Sequence, residues 1–480
     1  MTTTERPRLL ARTAPTPGAS RRALPPLIFT SLAIGAATFS ALQSLLGPAL
    51  PALQGDLGTT PAGIAWTMTA WLLAAAVATP IMGRVGDGIG KKRALLAVLA
   101  VVIVGSLVSA SASTLPVMLA GRVLQGLGAS VSPLAFGIIR DTFPARRVPS
   151  AIGAMAAVLA AGGGLGTVLA GPIIETTGWR GLFWIPAALL AVTTILVTTG
   201  VPASPRQGTA RFDPLSAVLL ATWLVALLLP LSEGPTWGWG SPATIGSFLL
   251  AAGAVLWWVR TEARSARPLI DLSTMRRPVV WRTIVVAALL GAAQFALLTY
   301  APVLLQTDPS TGYGLGLSAG AAGLVMLPIL VGMTLGGIVA GPATRYVTLP
   351  AQLAGGAALM ASGSLAYALL HESLGPTLAA GGLFGLGLGL GFAAMTSIVV
   401  VNVPASQTGA ATGAVQNART IGGALGTAAF SALVAAATGG GDIPHEWAYT
   451  SGFLVLAAAG TLAILFAVAT PRGDRTAKTP

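Results

Sequence analysis

Gly83-Arg84-Val85-Gly86-Asp87-Gly88-Ile89-Gly90-Lys91-Lys92-Arg93 is a polar, glycine-rich stretch set between two apolar runs, 62–82 and 94–112. Each run is long enough, at ~1.5 Å per helical residue, to cross a hydrocarbon core of ~30 Å. The stretch between them therefore reads as a turn at a membrane surface. Its three consecutive cations, Lys91, Lys92 and Arg93, place that turn on the cytoplasmic side, because short cytoplasmic connections collect Lys and Arg.

The same alternation extends outward in both directions. Apolar windows fall at 27–50, 62–82, 94–112, 117–139, 151–173, 181–201, 214–231, 243–260, 283–306, 318–340, 350–370, 377–401, 408–435 and 450–470, which makes fourteen predicted spans and an all-α membrane protein. With 54% apolar and 9% charged residues in a chain of 480, no soluble surface is available. The first run follows Arg21 and Arg22 as a signal peptide would, but it exceeds a typical apolar region of ~7–15 residues and reads as a retained helix. With the N-terminus inside, inner segments hold nearly every Arg and Lys, and outer ones hold only Arg180. That asymmetry puts both termini in the cytoplasm and accounts for the net charge of +13 without a nucleic-acid partner. The chain has no cysteine, and its two histidines, His371 and His445, fall in short connections, so no thiolate or His-rich metal site is expected and no cofactor is implied. The abundance of Ala, Gly and Arg over Lys is associated with a GC-rich bacterial source. The expected organisation is a cytoplasmic tail 1–26, a bundle 27–201, a helix pair 214–260, a cytoplasmic linker 261–282, a second bundle 283–470 and a tail 471–480. Glycines four residues apart, such as Gly162 and Gly166 or Gly422 and Gly426, mark tight helix contacts. The run Gly385–Gly391 looks like a nucleotide loop but lies within an apolar helix with no preceding strand, which rules against phosphate binding.

The spacing of Gly83, Asp87, Gly90 and the basic trio after the second span resembles the signature loop of the major facilitator superfamily. Gly121-Arg122-Val123-Leu124-Gln125-Gly126-Leu127-Gly128 in span four is similar to the arginine motif of that family's proton-linked members, with Arg122 and Gln125 on one helical face. Gly178-Trp179-Arg180, the loop Ser232–Trp239 and Asn417-Ala418-Arg419 in span thirteen resemble the fourteen-helix drug:proton antiporter (multidrug efflux) branch. The resemblance implies two six-helix bundles, spans 1–6 and 9–14, with an extra central helix pair and a mid-membrane cavity at their interface. It also implies a monomer in a bacterial inner membrane that exports small amphipathic molecules by alternating access. Asp87 would touch the start of a helix in the opposite bundle, where a carboxylate meets the positive end of the helix dipole.

Two departures weaken proton antiport. Leu42, with Gln43 beside it, stands where the branch carries an acid before Ala49-Leu50-Pro51, and Pro172 is shifted outward from the expected position in span five. A uniporter or importer is therefore the alternative transport reading. A channel or sensor is compatible with the composition. A membrane enzyme lacks its usual motifs here: no nucleophile turn, no metal spacing and no acid pair within a span. Gln43 is expected to hydrogen-bond Arg122. Every acid lies in a tail, a loop or a span end, Asp56 near the outer mouth among them, whereas Arg122 and Arg419 lie within spans. A net positive interior of this kind favours neutral or anionic amphiphiles over lipophilic cations. Tyr300 and Met326 are expected as apolar contacts in the cavity.

Overall fold

The computed structural model describes residues 25–204, 213–265, 268–437 and 444–470; most of the two expected tails lies outside the described residues. Fourteen helical rods account for nearly all of it. They are α1 (Pro25–Ser44), α2 (Pro61–Ile89), α3 (Lys91–Ala110), α4 (Leu115–Gly126 and Val131–Thr142, joined by a 3-10 turn), α5 (Val148–Thr177), α6 (Gly181–Gly200), α7 (Pro214–Trp237) and α8 (Pro242–Arg264). The rest are α9 (Pro278–Gln306), α10 (Ala319–Val325 and Leu327–Ala343, broken at Met326), α11 (Leu349–Leu369), α12 (Leu374–Asn402), α13 (Thr408–Ala436) and α14 (Glu446–Val468). Thirteen of these segments are long and apolar enough to cross a membrane; α11, helical over 21 residues, is the one that is not among them. It packs between α12 and α14.

Several starts are written in the local sequence. Thr60, Asp213 and Ser241 each cap a helix whose first residue is proline: Thr60 accepts from the Gly63 amide, Asp213 from Leu215 and Ser241 from Thr244. The side-chain oxygen satisfies an amide that the helix leaves free, and proline needs none. The first predicted span is shortened. The helix stops at Ser44, and a 3-10 turn at Gly47–Ala49 leads into a short helix Leu50–Asp56, because Pro48 and Pro51 cannot continue the ladder. The signature stretch is corrected in the same way. It is no loop: Gly83 through Ile89 complete α2, and the turn is Gly90 alone, at φ +100°, before Lys91 opens α3. The linker is also tighter than 261–282, since α8 runs to Arg264 and α9 begins at Pro278, with a short helix Leu272–Met275 between.

The contacts fall into two halves. In the first, α1 packs on α5 and α6, α3 on α4 and α6, and α2 on α4; in the second, α12 packs on α10 and α11, α9 on α13 and α14, and α11 on α14. Two seams join the halves, α2 against α13 and α5 against α10. The extra pair α7–α8 does not enter either half. α7 lies over the α2–α13 seam and touches both helices. The α5–α10 seam is built on glycine. A Cβ at Gly153 would sit 2.6 Å from the Gly337 carbonyl oxygen, so only hydrogen allows the backbones to meet.

Gly153→Val is expected to destabilise the protein by about 1–3 kcal/mol through overpacking, seen as an earlier thermal transition in detergent. Gly253→Val on α8, where a Cβ would meet nothing within 4 Å, is the matched control. Equal transitions for the two variants would contradict the seam assignment.

Candidate functional site

A cavity of about 930 Å³ lies between the two halves. Its first-half wall includes Phe39 and Gln43 from α1 and Trp71 from α2; the facing wall includes Gln294 and Phe295 from α9, Phe392 from α12, and Asn417 and Arg419 from α13. It extends toward the end of the bundle that holds Ser44, Pro302 and Gly323. Phe39 and Trp71 stack with ring centroids 6.4 Å apart, giving that side a broad aromatic face. Among the described residues, Arg419 is the single charged one of the lining. Its guanidinium carbon lies 4.6 Å from the Phe392 ring centroid, and among the described residues its Nε has no hydrogen-bond acceptor. Gln294 Oε1 is likewise buried without a donor. A buried polar atom left unpaired costs free energy. Asn417 is instead used up, donating from Nδ2 to the Ala76 carbonyl oxygen at 2.7 Å across the α2–α13 seam.

Arg122 takes a different place from the one expected of it. It is fully buried behind Trp71, with its guanidinium carbon 5.8 Å from that ring centroid, and does not line the cavity. Its Nε donates to the Thr67 carbonyl oxygen at 3.1 Å and its Nη1 to Gln125 Oε1 at 2.6 Å; Gln125 in turn donates to Ser106. Gln43 is not among its partners. Similarity of depth along two helices does not fix the direction in which a side chain points, and Trp71 occupies the space between cavity and arginine. Tyr300 is a second correction. Its ring stacks on Phe430 at 4.3 Å and 6° and is absent from the cavity wall, whereas Met326 lines it. Asp56 also lies outside the wall, accepting from Trp179 Nε1 at 2.6 Å with Arg180 3.6 Å away.

The opposite end of the bundle is closed by the signature residues. Asp87 is 1% exposed, and its carboxylate accepts from the Gly409 and Ala410 amides, each at 3.4 Å, at the first turn of α13. Gly83 makes this approach possible: a Cβ there would stand 2.5 Å from the Gly409 carbonyl oxygen. A carboxylate at a helix N-terminus is stabilised by the free amides and the positive end of the dipole. Lys91, equally buried, lies 3.7 Å from Asp87 and 2.8 Å from Asp141, and reaches the Ala405 carbonyl oxygen in the other half. Arg140 adds a bond to Thr408 at 2.6 Å. Lys92 serves a different helix, closing the end of α6 through the Thr198 and Val201 carbonyl oxygens, while Arg93 is exposed. Gly90, Asp87 and Lys91 thus belong to one buried closure. The two bonds that Asp87 accepts are long, 3.4 Å each, beyond the ~2.7–3.2 Å usual for an N–H···O bond.

Phe39, Trp71, Gln294, Phe295 and Phe392 were not legible as cavity residues. An apolar side chain facing a cavity and one facing lipid carry the same sequence signal. Gln294, a polar group in the middle of an apolar span, is the exception that could have been singled out.

The family model of the Major Facilitator Superfamily matches residues 32–427. The chain belongs to the major facilitator superfamily, a family of membrane transporters and not of enzymes. An uncharacterised transporter of this family from Mycobacterium tuberculosis is 31% identical over 415 residues, covering 85% of this chain; the chain spans 59% of that relative's length. The tetracenomycin C resistance and export protein of Streptomyces glaucescens is 30% identical over 444 residues, covering 91% of this chain and 80% of its own. The cephamycin export protein of Amycolatopsis lactamdurans is 31% identical over 440 residues, with 89% and 88% covered. The crystal structure of a human organic anion transporter superposes with a TM-score of 0.68 at 14% identity, covering 92% of this chain and 99% of its own. The proton:xylose symporter gives 0.67 at 16%, with 93% and 95% covered. At such identities these two structures speak for the fold alone.

Asp87→Ala removes the acceptor of two amides at the closed end. It is expected to slow transport of every substrate alike, by about tenfold if the lost bonds are worth ~1.4 kcal/mol. A changed substrate profile at unchanged rate, measured in vesicles, would contradict that role.

Proposed function

We propose that the chain is a secondary transporter that exports small amphipathic molecules, drug-like or antibiotic-like, by alternating access. The observation that carries this reading is the cavity between the halves, rich in apolar and aromatic wall and closed at the Asp87 end. The export functions named for the Streptomyces and Amycolatopsis relatives support the direction. The rocking units are residues 27–201 and 283–470, with 214–260 as an added pair and a cytoplasmic linker, expected at 261–282, that the helix ends at Arg264 and Pro278 make shorter. The protein acts as a monomer in the bacterial inner membrane with both termini in the cytoplasm, and the described conformation is outward-facing.

Substrate charge follows from the wall. Arg419 faces the cavity without a carboxylate partner, and no Asp or Glu lines the cavity among the described residues. A lone cation in a low-dielectric cleft attracts anions and repels cations, so neutral and anionic amphiphiles are favoured. The same wall bears on coupling. Without a carboxylate in the cavity, an imposed proton gradient is expected to drive transport weakly unless Asp56 is the titrating group. That absence, together with buried Leu42 in place of the first-helix acid, favours a uniporter or importer as the second reading.

Proteoliposome transport tests the proposal. Arg419→Ala is expected to reduce transport of an anionic amphiphile such as anilinonaphthalene sulfonate about tenfold or more, as for the loss of a charge-assisted contact worth ~1.5–3 kcal/mol, with a neutral analogue less affected. Robust gradient-driven export of ethidium that survives Asp56→Asn would overturn both the charge and the coupling readings. Orientation is checked on the cysteine-free chain: a cysteine at Thr236 should react with an impermeant outside reagent and one at Ser273 should not, and the reverse would invert the topology.

A further inference from the structure

We propose that the α5–α10 seam, at the end it shares with Asp87, binds one phosphate group between Arg146 and Arg147 of the first half and Arg345 of the second, and that this anion bridges the halves there as the Asp87 carboxylate does at the other seam. The two seams are built on one plan. Phe143-Pro144-Ala145-Arg146-Arg147 leads into α5 and Val403-Pro404-Ala405-Ser406-Gln407 into α13, each through a single 3-10 turn, Ala145–Arg147 and Ala405–Gln407. In both, the first turn of the helix that follows meets a glycine toward the end of a helix in the opposite half. Gly83 of α2 meets Gly409, the second residue of α13, and Gly341 of α10 meets Ser150, the third residue of α5. Four residues after the glycine stands Asp87 in one seam and Arg345 in the other. The charge is reversed. The facing side differs as well, with Arg146 and Arg147 where the Asp87 seam has Ser406 and Gln407.

Three cations therefore gather where the Asp87 seam has charges of both signs. Arg146 and Arg147 lie four and three residues before Ser150, and Arg345 lies four after Gly341. Each is thus about one helical turn, ~5.4 Å, from the point where the two backbones touch, and all three lie on its Asp87 side. All three are exposed, and among the described residues none makes a side-chain hydrogen bond or an ion pair. The nearby acids are committed elsewhere: Asp141 to Lys91, and Asp87 to Lys91 and the α13 amides. Like charges that face each other across a seam repel, and α5 adds the positive end of its dipole, with no side-chain cap from Arg147. An anion set among the guanidiniums turns this repulsion into a bridge. Phosphate suits the place because it presents oxygens on several sides and takes paired N–H donors from arginines of both halves at once. At a membrane surface the phosphate of an anionic lipid headgroup supplies that chemistry; inorganic phosphate is the second source. The binding site stands without the export reading, whereas its effect on the alternating cycle rests on that reading.

Binding and conformation are tested separately on the whole chain. In native mass spectrometry from mixed micelles, the intact protein is expected to retain phosphatidylglycerol about threefold more than the double variant Arg146→Gln, Arg147→Gln, the size of an exposed ion-pair contact, with phosphatidylcholine retained equally by both. For conformation, spin labels are placed at Arg93→Cys and Val401→Cys, exposed positions in the two halves outside the site, on a chain with no cysteine of its own. Phosphatidylglycerol added to phosphatidylcholine vesicles is expected to cut the long-distance population by about the same factor. Arg345→Glu, which puts an acid at the place equivalent to Asp87, is expected to hold the short distance with or without the anion. Inorganic phosphate in phosphatidylcholine vesicles separates the two sources: a response to the lipid alone assigns the site to a headgroup, and a response to both assigns it to phosphate in either form. Equal retention of phosphatidylglycerol by the intact protein and the double variant would overturn the site. An Arg345→Glu protein that still responds to anions as the intact chain does would overturn the bridge. Anion binding with the expected distances in a protein that transports nothing would refute the export reading and leave the site in place.

Discussion

The meeting of α2 with the first turn of α13 is the constraint on which the rest depends. Two backbones approach closely enough at Gly83 and Gly409 that neither position has room for a side chain, and this brings the Asp87 carboxylate to the free amides of α13. Lys91 and Asp141 then complete a buried group with three formal charges, which tolerates removal from water only because each charge has an opposite neighbour. Asp87, Lys91 and Arg140 each bond the other half at this end. The cavity exists because the helices diverge from this point onward.

The distribution of polar groups follows the same logic. Charges that hold structure are paired or given backbone carbonyls: Arg122 by Thr67 and Gln125, Lys92 by the end of α6, and Glu262 by Ser216 and the Ile270 amide, which pins the linker to the extra pair. Arg419 stands apart, with an aromatic face on one side and open volume on the other. Arg84 Nε and Arg122 Nη2 are also buried without a hydrogen-bond partner among the described residues, but Arg419 is the charged residue among them that lines the cavity. Among the described residues, the extra pair contributes no wall to the cavity, and α7 covers the α2–α13 seam.

Much of this architecture could be read in the sequence because a membrane leaves few options, and apolar length fixes where the spans lie. The stretch Gly83–Arg93 discloses a contact between the halves, yet its glycines read as turn residues, whereas Gly83 and Gly86 are helical and serve close packing. Glycine in a sequence does not say which of the two uses it has. The pairing of Gln43 with Arg122 failed for a related reason. Depth follows from residue count, but azimuth depends on how helices pack, and Trp71 intervenes. The aromatic chemistry that suggests Tyr300 for the cavity serves a core position equally well, in its stack on Phe430.

The central claim is that the Asp87 closure holds the two halves together at the end away from the cavity mouth. Electron–electron double resonance between spin labels at Arg93→Cys and Arg345→Cys, exposed positions on the two halves at that end, measures it directly. A single short-distance population is expected with Asp87 intact, and a substantial second population at longer distance after Asp87→Ala. Superimposable distance distributions for the two proteins would contradict the account.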